Sequence, residues 1–387
     1  MSNYIRNFDF KKVKGYIEGF YGKLLSWDNR IKILEALSKN KMNFYFYCPK
    51  EDIHHRQNWK INYPNNWLNN FGKFCKIAKE KNIKIIAGIS PGLSFNFKRN
   101  LSKKDFEYKL LNKKANTLIK HGANIISIMF DDIPPENLKN IDKKQEGILH
   151  ANLLNKIYQE NKFPVVAVPR IYADELSEEN PYYIKHFFTQ INFEIPIFYC
   201  GKYIVSNNFE SELDVVNQKT KKNKLIFWDN FYANDYCPKR LIIGPWKNKN
   251  LVNSFMINGT GMIETDKLII EIVNKTNNKK NKMFLWKNIL KNKNVPNAFL
   301  KISKSFLTPN FTFEKNLNIY KFDNQTLKKL DYLLWQWKSD LSREWYQYLL
   351  NFKHDLQILN NDLSLNRILK TQTNPMQMTL VKRRKLK

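Results

Sequence analysis

The chain has 387 residues, 43% apolar and 14% aromatic, which is ample for a sizeable core and excludes a disordered or low-complexity protein. That length exceeds a single ordinary core, so one large barrel with an appendage, or two domains, are the options. A net charge of +30 ordinarily suggests a polyanion partner, but the basic residues are mostly Lys dispersed among Asn and Ile, which reads as compositional bias.

Hydrophobic patterning then alternates along the chain between strand and helix. Residues 13–19 (VKGYIEG) predict a first strand, followed by a glycine-bounded turn at Phe20-Tyr21-Gly22 and a helix over 27–38. The aromatic run 42–48 predicts a second strand, with a helix over 67–81. Residues 83–89 (IKIIAGI) predict a third strand and 106–121 a helix. The fourth strand begins at Ile125 and ends in the adjacent carboxylates Asp131 and Asp132, before Pro134-Pro135. A helix over 148–159 leads to strand 163–169, and a helix over 181–189 to strand 195–200. A helix over 213–220 leads to strand 224–228, which runs into Asp229-Asn230. Residues 251–257 give an eighth strand, and 266–274 a closing helix.

This order predicts a (β/α)8 TIM barrel with a C-terminal helical extension. A doubly wound sheet is the competitor, but no Gly-x-Gly-x-x-Gly turn follows the first strand. The expected divisions are a barrel over 10–275, a solvated Lys/Asn-rich connector over 276–322, an amphipathic helix or helical hairpin over 323–368, and a basic tail over 369–387. Asp323 or Asn324 is the expected N-cap of the helical region.

Cys48, Cys75, Cys200 and Cys237 fit no metal spacing and read as reduced core thiols. The N-terminus lacks an apolar signal core and no run is of membrane length, so a cytoplasmic protein with no membrane partner is expected.

In a parallel barrel, residues just past the strands converge on one mouth. Here they are Glu18, Gly19 and Tyr21, then Lys50, then Asp131 and Asp132, then Tyr172. Trp228, Asn230, Asn234, Asp235 and Tyr236 follow, with Asn258 last. Taken singly, Lys50 reads as a surface lysine, Trp228 as core, and Asn234 and Asp235 as turn residues. Together they combine carboxylates, amides and aromatics without histidine. That argues against a metalloenzyme or a Ser-His-Asp hydrolase, and the missing phosphate loop argues against nucleotide chemistry.

Aromatic faces with Asp and Asn hydrogen-bonders suit a sugar. Ordinary glycosidases place two carboxyls on opposite sides of the scissile bond, which adjacent Asp131 and Asp132 do poorly. They suit a substrate-assisted route instead: one orients the sugar's own 2-acetamido group as nucleophile while the other protonates the leaving oxygen. Two mutually repelling carboxylates would also leave one protonated near neutrality.

The motifs Gly15-Tyr16-Ile17-Glu18-Gly19-Phe20-Tyr21-Gly22, Asn43-Phe44-Tyr45-Phe46-Tyr47-Cys48-Pro49-Lys50-Glu51-Asp52 with His55-Arg56, and Ser90-Pro91-Gly92-Leu93 stand in order before Phe130-Asp131-Asp132-Ile133. Trp228-Asp229-Asn230 and Ala233-Asn234-Asp235-Tyr236 follow. Residues 13–260 resemble the O-GlcNAcase family of β-N-acetylglucosaminidases, glycoside hydrolase family 84, some members of which are labelled hyaluronidases. The resemblance implies a retaining exo-β-N-acetylglucosaminidase that works through an oxazoline, without metal or cofactor, on β-linked N-acetylglucosamine of a protein or glycan. It implies that Asp131 polarises the acetamido group and that Asp132 is general acid, then base. Tyr172 would position the acetamido group and Trp228 would line the acetyl pocket. Gly19, Lys50, Asn230, Asp235 and Asn258 would hold the sugar, with Tyr236 beside them. Leu24-Leu25, Glu51, Arg170-Ile171 and Tyr199 depart from the family pattern. A hydrolase of an acidic N-acetylhexosamine polymer and a non-catalytic glycan- or polyanion-binding protein are the alternatives. No specific nucleic-acid partner is expected, and a homodimer through the C-terminal helices is possible.

Overall fold

The protein, as a computed structural model, is described over residues 10, 12–97, 105–138, 141–205, 210–221, 224–237, 239–246, 254–277, 279–308 and 324–359. It divides into two compact units, Met1–Tyr236 with Ile243–Trp286, and Cys237–Ile242 with Lys287–Lys387.

The first unit is a closed barrel of eight strands in sequence order. They are β1 (Lys14–Glu18), β2 (Phe44–Tyr47), β3 (Lys84–Ile89), β4 (Ile125–Met129), β5 (Val165–Val168), β6 (Ile197–Tyr199), β7 (Leu225–Asp229) and β8 (Phe255–Asn258). All pair in parallel, and β8 returns to β1 with Ile17 opposite Asn258. Alternate residues fill the interior, among them Ile17, Phe46, Ile86, Ile125, Met129, Phe198 and Met256. Gly15 lets β1 and β2 close up, since a Cβ there would meet the Phe44 carbonyl oxygen at 2.3 Å. This is the expected (β/α)8 architecture, and all strand C-termini open on one mouth.

The helical layer consists of α1 (Trp27–Lys39), α2 (Asn65–Glu80), α3 (Phe106–Lys120), α4 (Lys143–Glu160), α5 (Tyr183–Gln190), α6 (Asp214–Lys221) and α7 (Ile263–Thr276). Short polar side chains start three of them: Ser26 caps α1, Asp105 caps α3 and Asp142 caps α4. The Asp142 cap begins α4 five residues before the apolar pattern does, because its first turn (Lys143-Lys144-Gln145) has no apolar residue. Among the described residues, β7 passes to β8 without a helix. No described helix is long and apolar enough to cross a membrane.

The segment expected to be a solvated connector carries α8 (Lys282–Asn292). Trp286, Ile289 and Leu290 are buried along it at helical spacing, and the Trp286 indole donates to the Ile243 carbonyl at 2.6 Å. The flanking Lys and Asn masked this short apolar stripe.

The second unit holds α9 (Asn297–Ile302), α10 (Asn324–Asp331) and α11 (Asp340–Leu359). A π-helical turn, Tyr332–Gln336, ends α10, and Trp337 leaves it in extended backbone. Of the two forms expected here, a single helix or a helical hairpin, the break at Trp337 excludes the single helix. Trp345 packs tilted against Phe299 at 4.9 Å and edge-on against Trp337 at 5.6 Å. Asp323 and the tail at 369–387 lie outside the described residues.

Candidate active site

The site is built on the turn that ends β4. The Phe130 N–H donates to the Val168 carbonyl at 2.9 Å, extending the β4–β5 ladder by one bond. The Phe130 ring stacks on His150 of α4 with centroids 4.0 Å apart. Asp131 is buried, and Asp132 then turns the backbone into the left-handed region at φ 53°. That turn separates the side chains of the neighbours: the Asp131 side chain is 6% exposed and that of Asp132 33%.

Lys50, from the loop after β2, reaches both. Its ammonium bonds directly to Asp131 Oδ2 and stands 3.4 Å from Asp132 Oδ2. Asp131 Oδ1 is buried with no hydrogen-bond partner among the described residues. Asp132 accepts from the Tyr21 hydroxyl at 2.9 Å on Oδ2 and from the Tyr172 hydroxyl at 2.8 Å on Oδ1. Its carbonyl accepts from Arg56.

These contacts set the charges. Burial pulls the Lys50 ammonium down, but the two carboxylates outweigh it and raise its pKa above the ordinary lysine range. Burial pushes Asp132 up, but Lys50 and the Tyr172 and Tyr21 hydroxyls prevail and hold it below the usual carboxylate range. Burial raises Tyr21 to about 12 and, with Asp132, raises Tyr172 further, so both phenols keep their protons. The expectation of a carboxyl kept protonated by its neighbour does not hold for Asp132, because the Lys50 ammonium offsets the repulsion between the two carboxylates.

A second group lines the barrel's centre at β7, β8 and β1. The Trp228 indole donates to Asn230 Oδ1 at 3.0 Å, and Asn258 Nδ2 donates to the same oxygen at 3.0 Å. Asn230 Nδ2 donates to the Ile204 carbonyl at 2.9 Å. Asn258 Oδ1 is buried without a partner. Gly19 makes room for the indole, since a Cβ there would lie 2.8 Å from Trp228 Cζ2. Among the described residues, no three His, Cys, Asp or Glu side chains are grouped so as to hold a metal ion.

A family model for β-N-acetylglucosaminidase matches residues 14–258, which is the whole strand series. The chain belongs to the β-N-acetylglucosaminidase family. Over 244 residues it is 29% identical to the protein O-GlcNAcases of Rattus norvegicus and Mus musculus, covering 61% of this chain and 26% of each of those. It therefore spans about a quarter of the length of these curated relatives. Solved structures share the fold. CpGH84B superposes with a TM-score of 0.69 at 20% identity, covering 97% of this chain and 73% of that one. A mutant of the Thermobaculum terrenum O-GlcNAc hydrolase does so at 0.68 and 21%, covering 94% and 88%.

Within this β-N-acetylglucosaminidase fold the expected residues fall into distinct groups. Lys50 bridges Asp131 and Asp132 and Tyr172 bonds Asp132, whereas Gly19, Trp228, Asn230 and Asn258 form the second group. Asp235 joins the first through Tyr21, whose backbone N–H it accepts at 3.0 Å, and the exposed Tyr236 adjoins it. Glu18, collected with the mouth residues, is not there. It is fully buried on the outer face of β1, bound by Arg30 of α1 at 2.8 Å and by Tyr45 at 2.6 Å. Arg170, a departure from the family pattern, anchors the loop that carries Tyr172 by pairing with Glu146 of α4 and with Glu179 at 2.6 Å. Arg56 is absent from the expected site. Its only sequence signal is its place six residues after Lys50, within the His55-Arg56 motif.

Proposed function

We propose that this family member is a retaining exo-β-N-acetylglucosaminidase that uses substrate assistance through an oxazoline, acting on β-linked N-acetylglucosamine of a protein or glycan. One observation carries the reading: Asp131 offers a buried, unpartnered Oδ1 while Lys50 occupies its Oδ2, immediately beside the more exposed Asp132. An amide N–H is the donor such an oxygen suits.

In this reading Asp131 accepts the acetamido N–H, which increases electron density on the acetamido oxygen. That oxygen attacks the anomeric carbon as the glycosidic bond breaks, and Asp132 gives its proton to the departing oxygen. Asp132 then takes a proton from the water that opens the oxazoline, restoring the first configuration at the anomeric carbon. Bound substrate draws the Tyr172 hydroxyl toward the acetamido group. Asp132 thereby loses a donor that favours its charged form, and its proton affinity rises. Trp228, packed on Gly19, provides an apolar wall for the acetyl methyl, while Asn230, Asp235 and Asn258 pair with sugar hydroxyls, with Tyr236 beside them. Cys48, Cys75, Cys200 and Cys237 are all free thiols, which fits a reducing compartment such as the cytoplasm.

The test is release of an aryl alcohol from its β-N-acetylglucosaminide. Asp131→Asn is expected to lose on the order of 10²-fold or more in kcat. Asp132→Ala is expected to lose far more on a poor leaving group than on an activated one. The matching glucoside, with hydroxyl in place of acetamido, should not turn over; full activity on it would exclude substrate assistance. A folded wild type inactive on the aryl substrate would leave a glycan-binding protein as the reading.

A further inference from the structure

Arg56 is buried at the mouth, 7% exposed, yet it makes no ion pair within hydrogen-bond distance among the described residues. Its guanidinium is instead spent on two oxygens around Asp132. Nη1 donates to the Tyr21 hydroxyl oxygen at 2.9 Å and Nη2 to the Asp132 carbonyl. A guanidinium only donates, so the Tyr21 oxygen must accept from it, and the phenol proton is thereby directed at Asp132 Oδ2, 2.9 Å away. Tyr21 is fixed at its other end by its backbone bond to Asp235. Asp132 itself stands at φ 53°, a left-handed conformation uncommon for L residues.

We propose that Arg56 is a positioning residue for Asp132, holding its left-handed backbone directly through the carbonyl and its carboxylate indirectly through Tyr21. The loop after β2 then orients a side chain that belongs to β4. Lys50, from the same loop, cannot substitute, because its ammonium is committed to Asp131. A rigid planar fork meets two oxygens at a fixed separation, which a lysine ammonium does not. The proposal rests on the reading of Asp132 as proton donor.

The experiment compares wild type, Arg56→Ala, Arg56→Lys and Asp132→Ala on two aryl β-N-acetylglucosaminides, one with a good and one with a poor leaving group. Each is assayed with and without added guanidinium ion. Misplacing the acid should cost Arg56→Ala on the order of 10²-fold in kcat on the poor leaving group and under about tenfold on the good one, with KM within about threefold. Guanidinium should restore part of that loss in Arg56→Ala and none in Asp132→Ala. Arg56→Lys should keep the leaving-group bias of the alanine variant. Equal losses on both substrates in the Arg56 variants, while Asp132→Ala stays selective, would overturn the proposal and leave Arg56 a fold contact. Equal losses in Asp132→Ala itself would instead overturn the proton-donor reading. If Arg56→Ala melts below the assay temperature, Arg56→Lys decides: wild-type leaving-group sensitivity in that variant would overturn the proposal.

Discussion

At the scale of single residues, Asp132 is governed by what other strands bring to it. Tyr172, Tyr21 and Lys50 all favour its charged form, against the effect of burial. In the proposed first step Asp132 must carry a proton, so kcat/KM should fall as pH rises through its pKa in the free enzyme. Tyr172→Phe removes one donor to the anion, which raises that pKa and keeps the acid protonated to higher pH. The basic limb of kcat/KM should therefore move upward in the variant, alongside a drop in kcat. A limb that stays put, or moves down, would show that the Tyr172 hydrogen bond does not control the acid. The adjacency of Asp131 and Asp132 was plain in the sequence. The charge state of Asp132 was not, because it depends on an ammonium that the loop after β2 brings to it.

At the scale of elements, β1 is fastened to the helical layer by a buried ion pair. Arg30 of α1 meets Glu18 with Nε at 2.9 Å and Nη2 at 2.8 Å, while Tyr45 of β2 donates to the same carboxylate. The guanidinium also lies over Trp27 at 4.5 Å and Tyr47 at 5.0 Å. Glu18→Gln leaves that cation buried without its counter-charge, which should cost about 3–5 kcal/mol in urea unfolding. Replacing both partners together with apolar residues, Glu18→Leu with Arg30→Met, should recover most of the loss. A double variant no more stable than the single one would contradict this account. The sequence showed a carboxylate at a strand end. Only the register, with Ile17 turned inward, puts Glu18 on the outer face of the strand, away from the mouth.

At the scale of the whole chain, buried histidines weaken the fold as pH falls, opposed by buried Asp229, whose pKa burial raises to about 6. His55 is completely buried, its Nδ1–H donates to the Gly88 carbonyl at 2.9 Å, and burial lowers its pKa to about 4. In the unfolded chain it titrates near about 6.5. Between those values the unfolded chain binds a proton that the folded chain refuses. The His55 contribution to stability therefore falls as pH drops from about 6.5, by at most about 3 kcal/mol, and levels off below about pH 4. His150, also buried and lowered, acts in the same direction. His55→Asn, which retains a donor for Gly88, should flatten the difference in urea midpoint between about pH 7 and about pH 5. An unchanged difference would mean that His55 does not contribute.

Most of this architecture lies in local pattern. β-branched and aromatic runs closed by Pro, Gly or Asp define the strands, amphipathic spacing defines the intervening helices, and their alternation leaves few topologies open to a chain. Which residues stand just past the strands was readable to the same extent, since a parallel barrel brings every strand end to one mouth. The stripe of α8 was obscured by its Lys and Asn neighbours, and the break between α10 and α11 by an apolar repeat that runs on through it. What the tertiary structure alone decided is which polar atoms meet: Arg56 on the Asp132 carbonyl, Lys50 between two carboxylates, Glu18 turned away toward Arg30. Periodicity specifies the face on which a residue lies. Hydrogen bonding and charge depend on ångström distances between loops far apart in sequence, and those exist only once the barrel has closed.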